Sequence, residues 1–234
     1  MSAVRLNLLD LPWLPRLAPD FKTRLAAIQQ DDSTDWGPPL AALAQQALGM
    51  NQAMSLSRAA AKLQAQRPSK ALTRFKLGIV SNATIDFVIP FLQATALRYG
   101  IALDVVSGPF GQPVQAALDP SSAINAARPD AVLIALDHRG LPFRQDASGA
   151  WPPYQAEAAR HELDTIRQGF RQNCGAICLV QSVAAPLLPL FGSLDASLAG
   201  SARAAVASFN AGLARDLPAS ADLLIDIDAL AQSV

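Results

Sequence analysis

The stretch Phe75–Gln112 constrains this chain more than any other. An apolar run, Phe75-Lys76-Leu77-Gly78-Ile79-Val80, stops on the small polar residues Ser81-Asn82-Ala83-Thr84, and a helical stretch over Phe87–Tyr99 follows. A second apolar run, Ile101–Val106, then leads straight into Gly108-Pro109-Phe110-Gly111-Gln112. A strand that ends on small polar residues and turns at once toward a helix leaves backbone N–H groups and side-chain oxygens free at its carboxyl end. Open α/β sheets place their ligand sites there. The site's location is therefore arguable before its chemistry is.

The alternation continues downstream. With Phe75–Val80 and Ala102–Val106, the apolar runs Ala131–Leu136, Ala176–Val180 and Leu223–Ile227 make five suited to buried parallel strands. Helical stretches separate them: Val114–Ala127, Ala156–Asn173 and Ala202–Asp216. Right-handed crossovers then imply an α/β fold, a parallel five-stranded sheet covered by helices in three layers. The expected strand order is the flavodoxin-like 2-1-3-4-5, with its switch point between the first and third strands. That order brings together three loops: Ser81–Thr84, Gly108–Gln112 and Asp137–Arg139.

Residues 1–70 read differently, as an extended segment and helical arm preceding an α/β domain over 71–234. Leu11-Pro12-Trp13-Leu14-Pro15 is extended, because proline fixes φ and forbids helix continuation. Asp20 is a candidate cap for a helix over Phe21–Gln30, ended by Asp31-Asp32-Ser33-Thr34-Asp35. Gly37-Pro38-Pro39 marks a loop, and Leu40–Met50 and Met54–Gln66 read as two more helices. Pro68-Ser69 closes the arm.

Composition narrows the function. With 234 residues, 51% of them hydrophobic, the chain can bury a substantial core. Nineteen basic and nineteen acidic side chains leave no net field for nucleic acid or an anionic membrane, and no basic cluster is interleaved with aromatics. Cys174 and Cys178 have no second pair or adjacent histidine, so they read as thiols in a reducing compartment, not as a zinc site. Asp10, Pro12 and Pro15 interrupt the first apolar stretch, which excludes a signal peptide, and no run of about 18 apolar residues occurs. A soluble cytoplasmic protein is expected.

The candidate residues sit at the strand ends. Ser81, Asn82 and Thr84 are suited to hydrogen-bond a small ligand, or else to cap the next helix. Gly111 permits close backbone approach and Gln112 offers both donor and acceptor, or the segment is simply a tight turn. Asp137-His138-Arg139-Gly140 sets an acid, a base and a cation side by side. The other histidine, His161, lies among charges on a helix and reads as a solvated face. Leu224-Ile225-Asp226-Ile227-Asp228 resembles the Asp-x-Asp strand end of haloacid dehalogenase phosphatases, where the first aspartate accepts phosphate and magnesium is bound. No threonine follows at the usual place, and Val234 leaves no length for the remaining ligands, so turn-forming aspartates are the reading preferred.

Taken together, these blocks resemble FkbH-like proteins. The likeness rests on Ile79–Asp86 with Pro90-Phe91-Leu92, on Gly108–Gln115, and on Pro129-Asp130-Ala131-Val132 through Asp137. It extends to Phe191–Asp195, Gly200-Ser201, Phe209-Asn210 and the leader Leu11–Pro15 with Asp20-Phe21. The resemblance implies an SGNH-hydrolase-like domain that in that family precedes a haloacid-dehalogenase domain. The combined protein is associated with loading a glyceryl unit from a phosphorylated three-carbon donor onto an acyl carrier protein. It further implies that Asn82 stands where a hydrolase of this kind has its nucleophilic serine. Asp137 and His138 fall in the block that should supply an amide donor, and no histidine follows the last strand. An amide has no ionisable oxygen to attack a carbonyl.

The leading expectation is accordingly a non-hydrolytic SGNH-like domain. Ser81, Asn82, Thr84, Gly111, Gln112 and Asp137 would line its pocket. Its partners would be an acyl carrier protein and a haloacid-dehalogenase phosphatase domain, with a small phosphorylated or acyl substrate. No cofactor is expected here; Mg2+ belongs to the phosphatase domain. The alternative is an esterase or acyl transferase with Ser81 as nucleophile and His138 as base. A third reading gives the arm a role in oligomerisation.

Overall fold

The structure is a computed structural model and describes residues 13–143, 154–186 and 191–233. Among them are nine α-helices and a five-stranded all-parallel sheet of order β2-β1-β3-β4-β5. The strands are β1 (Thr73–Ser81), β2 (Ile101–Ser107), β3 (Ala131–Ala135), β4 (Ile177–Gln181) and β5 (Leu223–Ile225). This is the fold and strand order the alternation predicted. The helices are α1 (Phe21–Gln30), α2 (Gly37–Ala44), α3 (Met50–Gln66), α4 (Ile89–Arg98), α5 (Pro113–Leu118), α6 (Ala123–Ala127), α7 (Ala156–Asn173), α8 (Ala202–Asp216) and α9 (Ile227–Gln232). None of the described helices is long and apolar enough to cross a membrane. Residues 1–12, including Asp10 and the start of the Leu11–Pro15 segment, lie outside the described residues, as does Val234.

The chain divides into two compact units. One takes the residues up to Lys76 together with Ile85–Val105, and the other takes Leu77–Thr84 and Val106–Ser233. In the first unit, Phe21, Trp36, Leu40, Leu43, Leu56 and Leu63 share a core with Ala94 and Leu97 of α4. Trp36 donates its indole N–H to Arg67 O at 2.7 Å, satisfying the polar edge of a buried ring. Asp35 accepts from Gly37 N (2.9 Å), Lys70 N (2.9 Å) and Ala71 N (3.1 Å), tying the start of α2 to the segment after α3. Pro38 and Pro39 belong to α2 instead of preceding it. Proline suits the first helical turn, whose N–H groups lack partners anyway.

In the second unit one face of the sheet carries the core. Val80, Val132, Ile134, Cys178 and Val180 pack with Ala116 and Ala117 of α5, Ile124 of α6, Ile166 and Phe170 of α7 and Phe209 of α8. Gly78 keeps the β1 surface low: a β-carbon there would come within 2.8 Å of Ile124 Cγ2. The single helix expected over Val114–Ala127 is broken in two. Asp119, preceding Pro120, is extended (φ -84°, ψ 110°), as the proline ring favours. Asn125 bridges the break, donating Nδ2 to Ala116 O and Ala117 O (both 3.1 Å) and Asp119 O (2.8 Å).

At the amino ends of β4 and β5, Asp222 is fully buried. Its carboxylate accepts from Cys178 N (2.9 Å) and Arg167 Nε (2.7 Å) and pairs with Arg171 Nη2 at 2.9 Å. Burial raises its proton affinity, yet these donors outweigh it and hold the pKa below its ordinary value.

Candidate functional site

The carboxyl ends of the strands bring the three predicted loops together. Gly108 N donates to Ile79 O at 2.8 Å and Gly111 N to Ser81 O at 3.1 Å, so the loop after β2 is stitched to the end of β1. Gly111 has φ +66°, a conformation that favours glycine, and this permits the second contact. Gln112 and Thr84 are exposed; Gln112 stands at the N-cap of α5 without a side-chain cap bond.

The loop after β3 meets β1 through side chains. Asn82 Nδ2 donates to Asp137 Oδ1 at 2.6 Å, and Asn82 Oδ1 accepts the Asp137 N–H at 3.0 Å. Only this orientation of the amide satisfies both bonds. Asp137 Oδ1 also accepts from Arg139 N (2.8 Å) and Gly140 N (3.2 Å), an Asx turn, while Oδ2 takes the Arg139 guanidinium through Nε (3.0 Å) and Nη2 (2.7 Å). Partial burial works against the charge, but Arg139 and Asn82 prevail and hold the carboxyl at about 2. The polar groups of Asn82 and Asp137 are thus largely spent on each other and on Arg139.

Ser81 is buried, and its Oγ accepts the Ala83 N–H at 3.0 Å, closing a local turn. His138 is half-buried on the adjoining loop, and among the described hydrogen bonds none joins it to Ser81. His161 is exposed on α7. Helix α4 starts at Ile89 with Val88 at its N-cap and no side-chain cap bond.

A second polar cluster lies at the ends of β4 and β5, where the two aspartates read as turn-forming meet Ser182, a residue the sequence did not single out. Ser182 Oγ donates to Asp226 Oδ1 (2.9 Å) and accepts from Asp228 N (2.9 Å). Asp226 caps α9 by accepting Ala229 N (3.1 Å), and Asp228 accepts Ala185 N (3.1 Å) and Gln232 Nε2 (3.1 Å). The Ala229 N–H first, and then Ser182, hold the Asp226 carboxyl below its ordinary range. These aspartates cap and tie loops. The pair does not fit a magnesium site, and among the described residues no group of three His, Cys, Asp or Glu converges on one point.

No family model matches the sequence, and no curated protein does. Among solved structures, the chain is similar to the crystal structure of the N-terminal part of the protein BF1531 from Bacteroides fragilis, containing a phosphatase domain and complexed with Mg. The identity is 13% and the TM-score 0.61, over 79% of this chain and 47% of that one. This chain therefore spans about half the length of the protein it matches, and the likeness is one of fold.

Proposed function

We propose that this chain is a non-hydrolytic SGNH-like domain of an FkbH-type system, which assists the loading of a three-carbon unit onto an acyl carrier protein by binding or docking substrate and partner. The observation that carries the reading is the reciprocal Asn82–Asp137 pair at the carboxyl end of the strands. A serine-type nucleophile needs an ionisable hydroxyl and a base in reach, whereas here an amide stands hydrogen-bonded to a carboxylate that Arg139 already pairs. The fold likeness to a protein containing a phosphatase domain supports the same assignment, with the metal-dependent phosphate chemistry lying in that partner domain.

On this reading the exposed Thr84, Gly111 and Gln112 would meet a ligand, beside the buried Ser81 and the Asn82–Asp137 pair. The test is calorimetric titration of the full chain with a purified holo-acyl carrier protein, alone and together with the phosphatase domain of an FkbH-like protein. Association is expected, and its absence in both titrations overturns the reading. Short p-nitrophenyl esters should not turn over. Turnover that disappears in Ser81→Ala would instead support the Ser81–His138 esterase.

A further inference from the structure

We propose, resting on the function assigned above, that Arg139 is the anion-binding residue of the candidate site. Asn82 and Asp137 are then positioning residues, which hold its guanidinium ready for an oxyanion, the phosphate or carboxylate group of a small ligand.

Asp137 is fastened before it meets the arginine. Its Oδ1 accepts from Asn82 Nδ2 (2.6 Å), Arg139 N (2.8 Å) and Gly140 N (3.2 Å), and its own N–H is held by Asn82 Oδ1 at 3.0 Å. Oδ2 is left for the guanidinium, which approaches side-on through Nε (3.0 Å) and Nη2 (2.7 Å). A guanidinium carries its N–H donors in one rigid plane, and this grip uses only the Nε edge. The end-on edge, Nη1 and the second Nη2 hydrogen, has no partner among the described hydrogen bonds, and the side chain is 77% exposed. A free surface arginine loses much rotamer freedom when it binds. Here the carboxylate has already restricted the side chain, so less remains to be lost.

The charge on the three loops fits an anion. Ser81–Thr84, Gly108–Gln112 and Asp137–Gly140 hold a single carboxylate, Asp137, and both of its oxygens are covered by donors. Thr84 and Gln112, both exposed, add an uncharged hydroxyl and amide on the adjoining loops. Carboxylate and phosphate each present two oxygens that match the end-on fork, giving charge-assisted bonds that a neutral ligand cannot make.

Titration of the isotope-labelled full chain with inorganic phosphate, and separately with acetate, tests this by NMR at a constant ionic strength of about 0.15 M, with chloride as control. The Arg139 side-chain N–H resonances should shift and saturate in the millimolar range with at least one oxyanion and not with chloride. Which anion saturates tells whether the ligand carries phosphate or carboxylate. Arg139→Lys keeps the charge without the fork, and binding read at the Gly140 amide should weaken about tenfold. Asn82→Ala leaves Arg139 in place and should weaken binding as well, by freeing Asp137. Saturation by neither anion overturns the proposal, and so does an Arg139→Lys chain that binds as tightly as wild type. A folded Asn82→Ala chain of undiminished affinity overturns the positioning role. Arg139→Lys alters an exposed side chain, so the test stands whether or not Asn82→Ala folds by circular dichroism. No carrier protein takes part, so failure here is distinct from failure of the docking titration.

Discussion

Gly140 lies against the Asn82 carboxamide: a β-carbon on it would come within 2.7 Å of Oδ1 and 2.8 Å of Nδ2. Glycine is required here by close approach and not by φ. Gly140→Ala should displace the amide from Asp137 and lower stability by about 1–3 kcal/mol in urea denaturation. In the background of Asn82→Ala, which removes the obstructing amide, the same change should be nearly neutral. Additive effects of the two substitutions would contradict the contact.

Asp137 predicts a pH dependence whose sign follows from its donors. Its folded pKa, at about 2, lies below the ordinary 3.8, so the folded state holds the proton more weakly than the unfolded chain. The contribution is fully present above pH 3.8 and is lost as the pH falls toward 2. The side chain is 35% exposed, so solvent screening leaves about 1 kcal/mol of it. The urea midpoint of wild type should fall from pH 5 to pH 2.5 by more than that of Asp137→Asn, and equal falls would refute the assignment.

Much of this was readable from local pattern. The bounds of α1, α7 and α8 follow from apolar spacing and flanking polar residues, and the strand order from alternation alone. The break between α5 and α6 was signalled by Asp119-Pro120, but periodicity across it masked the signal. The Asn82–Asp137 pair was beyond reach. The two residues are 55 positions apart, and the strand order tells only that their loops are neighbours, not that one amide would occupy both the N–H and the carboxylate of the other. Ser182 and Asp226 are hidden for the same reason, 44 positions apart.

Asn125 spans that break, and the arrangement makes a third test. Its Nδ2 group donates to three carbonyls at the end of α5 and in the turn that follows. Asn125→Ala should lower stability by about 1 kcal/mol, since Ala116 O, Ala117 O and Asp119 O each lose one bond and keep another, from Ser122 Oγ, Asn173 Nδ2 and Ser122 N. The loss should appear in hydrogen exchange first over Pro113–Ala127. A loss spread evenly over the unit would mean the residue is only filling space.

Asp222 makes the strongest demand on its surroundings. Removing it leaves Arg167 without its buried counter-ion and the Cys178 N–H without an acceptor. Asp222→Ala should therefore lower stability by about 3–5 kcal/mol in chemical denaturation, several times the effect of Asp164→Ala, which breaks only the exposed bond to the same arginine. Equal effects would make the buried pair no more than a surface one.

Cys178 reports on the same end of the sheet without any substitution. Burial, and then the neighbouring Asp222 carboxylate, push its thiol up to about 12, while the Arg167 and Arg171 charges only partly oppose them. The thiolate is the reactive form, so folded protein at about pH 8 should be alkylated by iodoacetamide at Cys174, which is half-buried, and spared at Cys178. Adding urea should bring Cys178 into reaction only along the global unfolding curve, because β4 lies between β3 and β5 and opens with the core. Peptide mass spectrometry after timed alkylation reads both sites at once. Modification of Cys178 at the Cys174 rate in native buffer would mean that the amino end of β4 opens locally, and that the Asp222 cluster does not hold it closed.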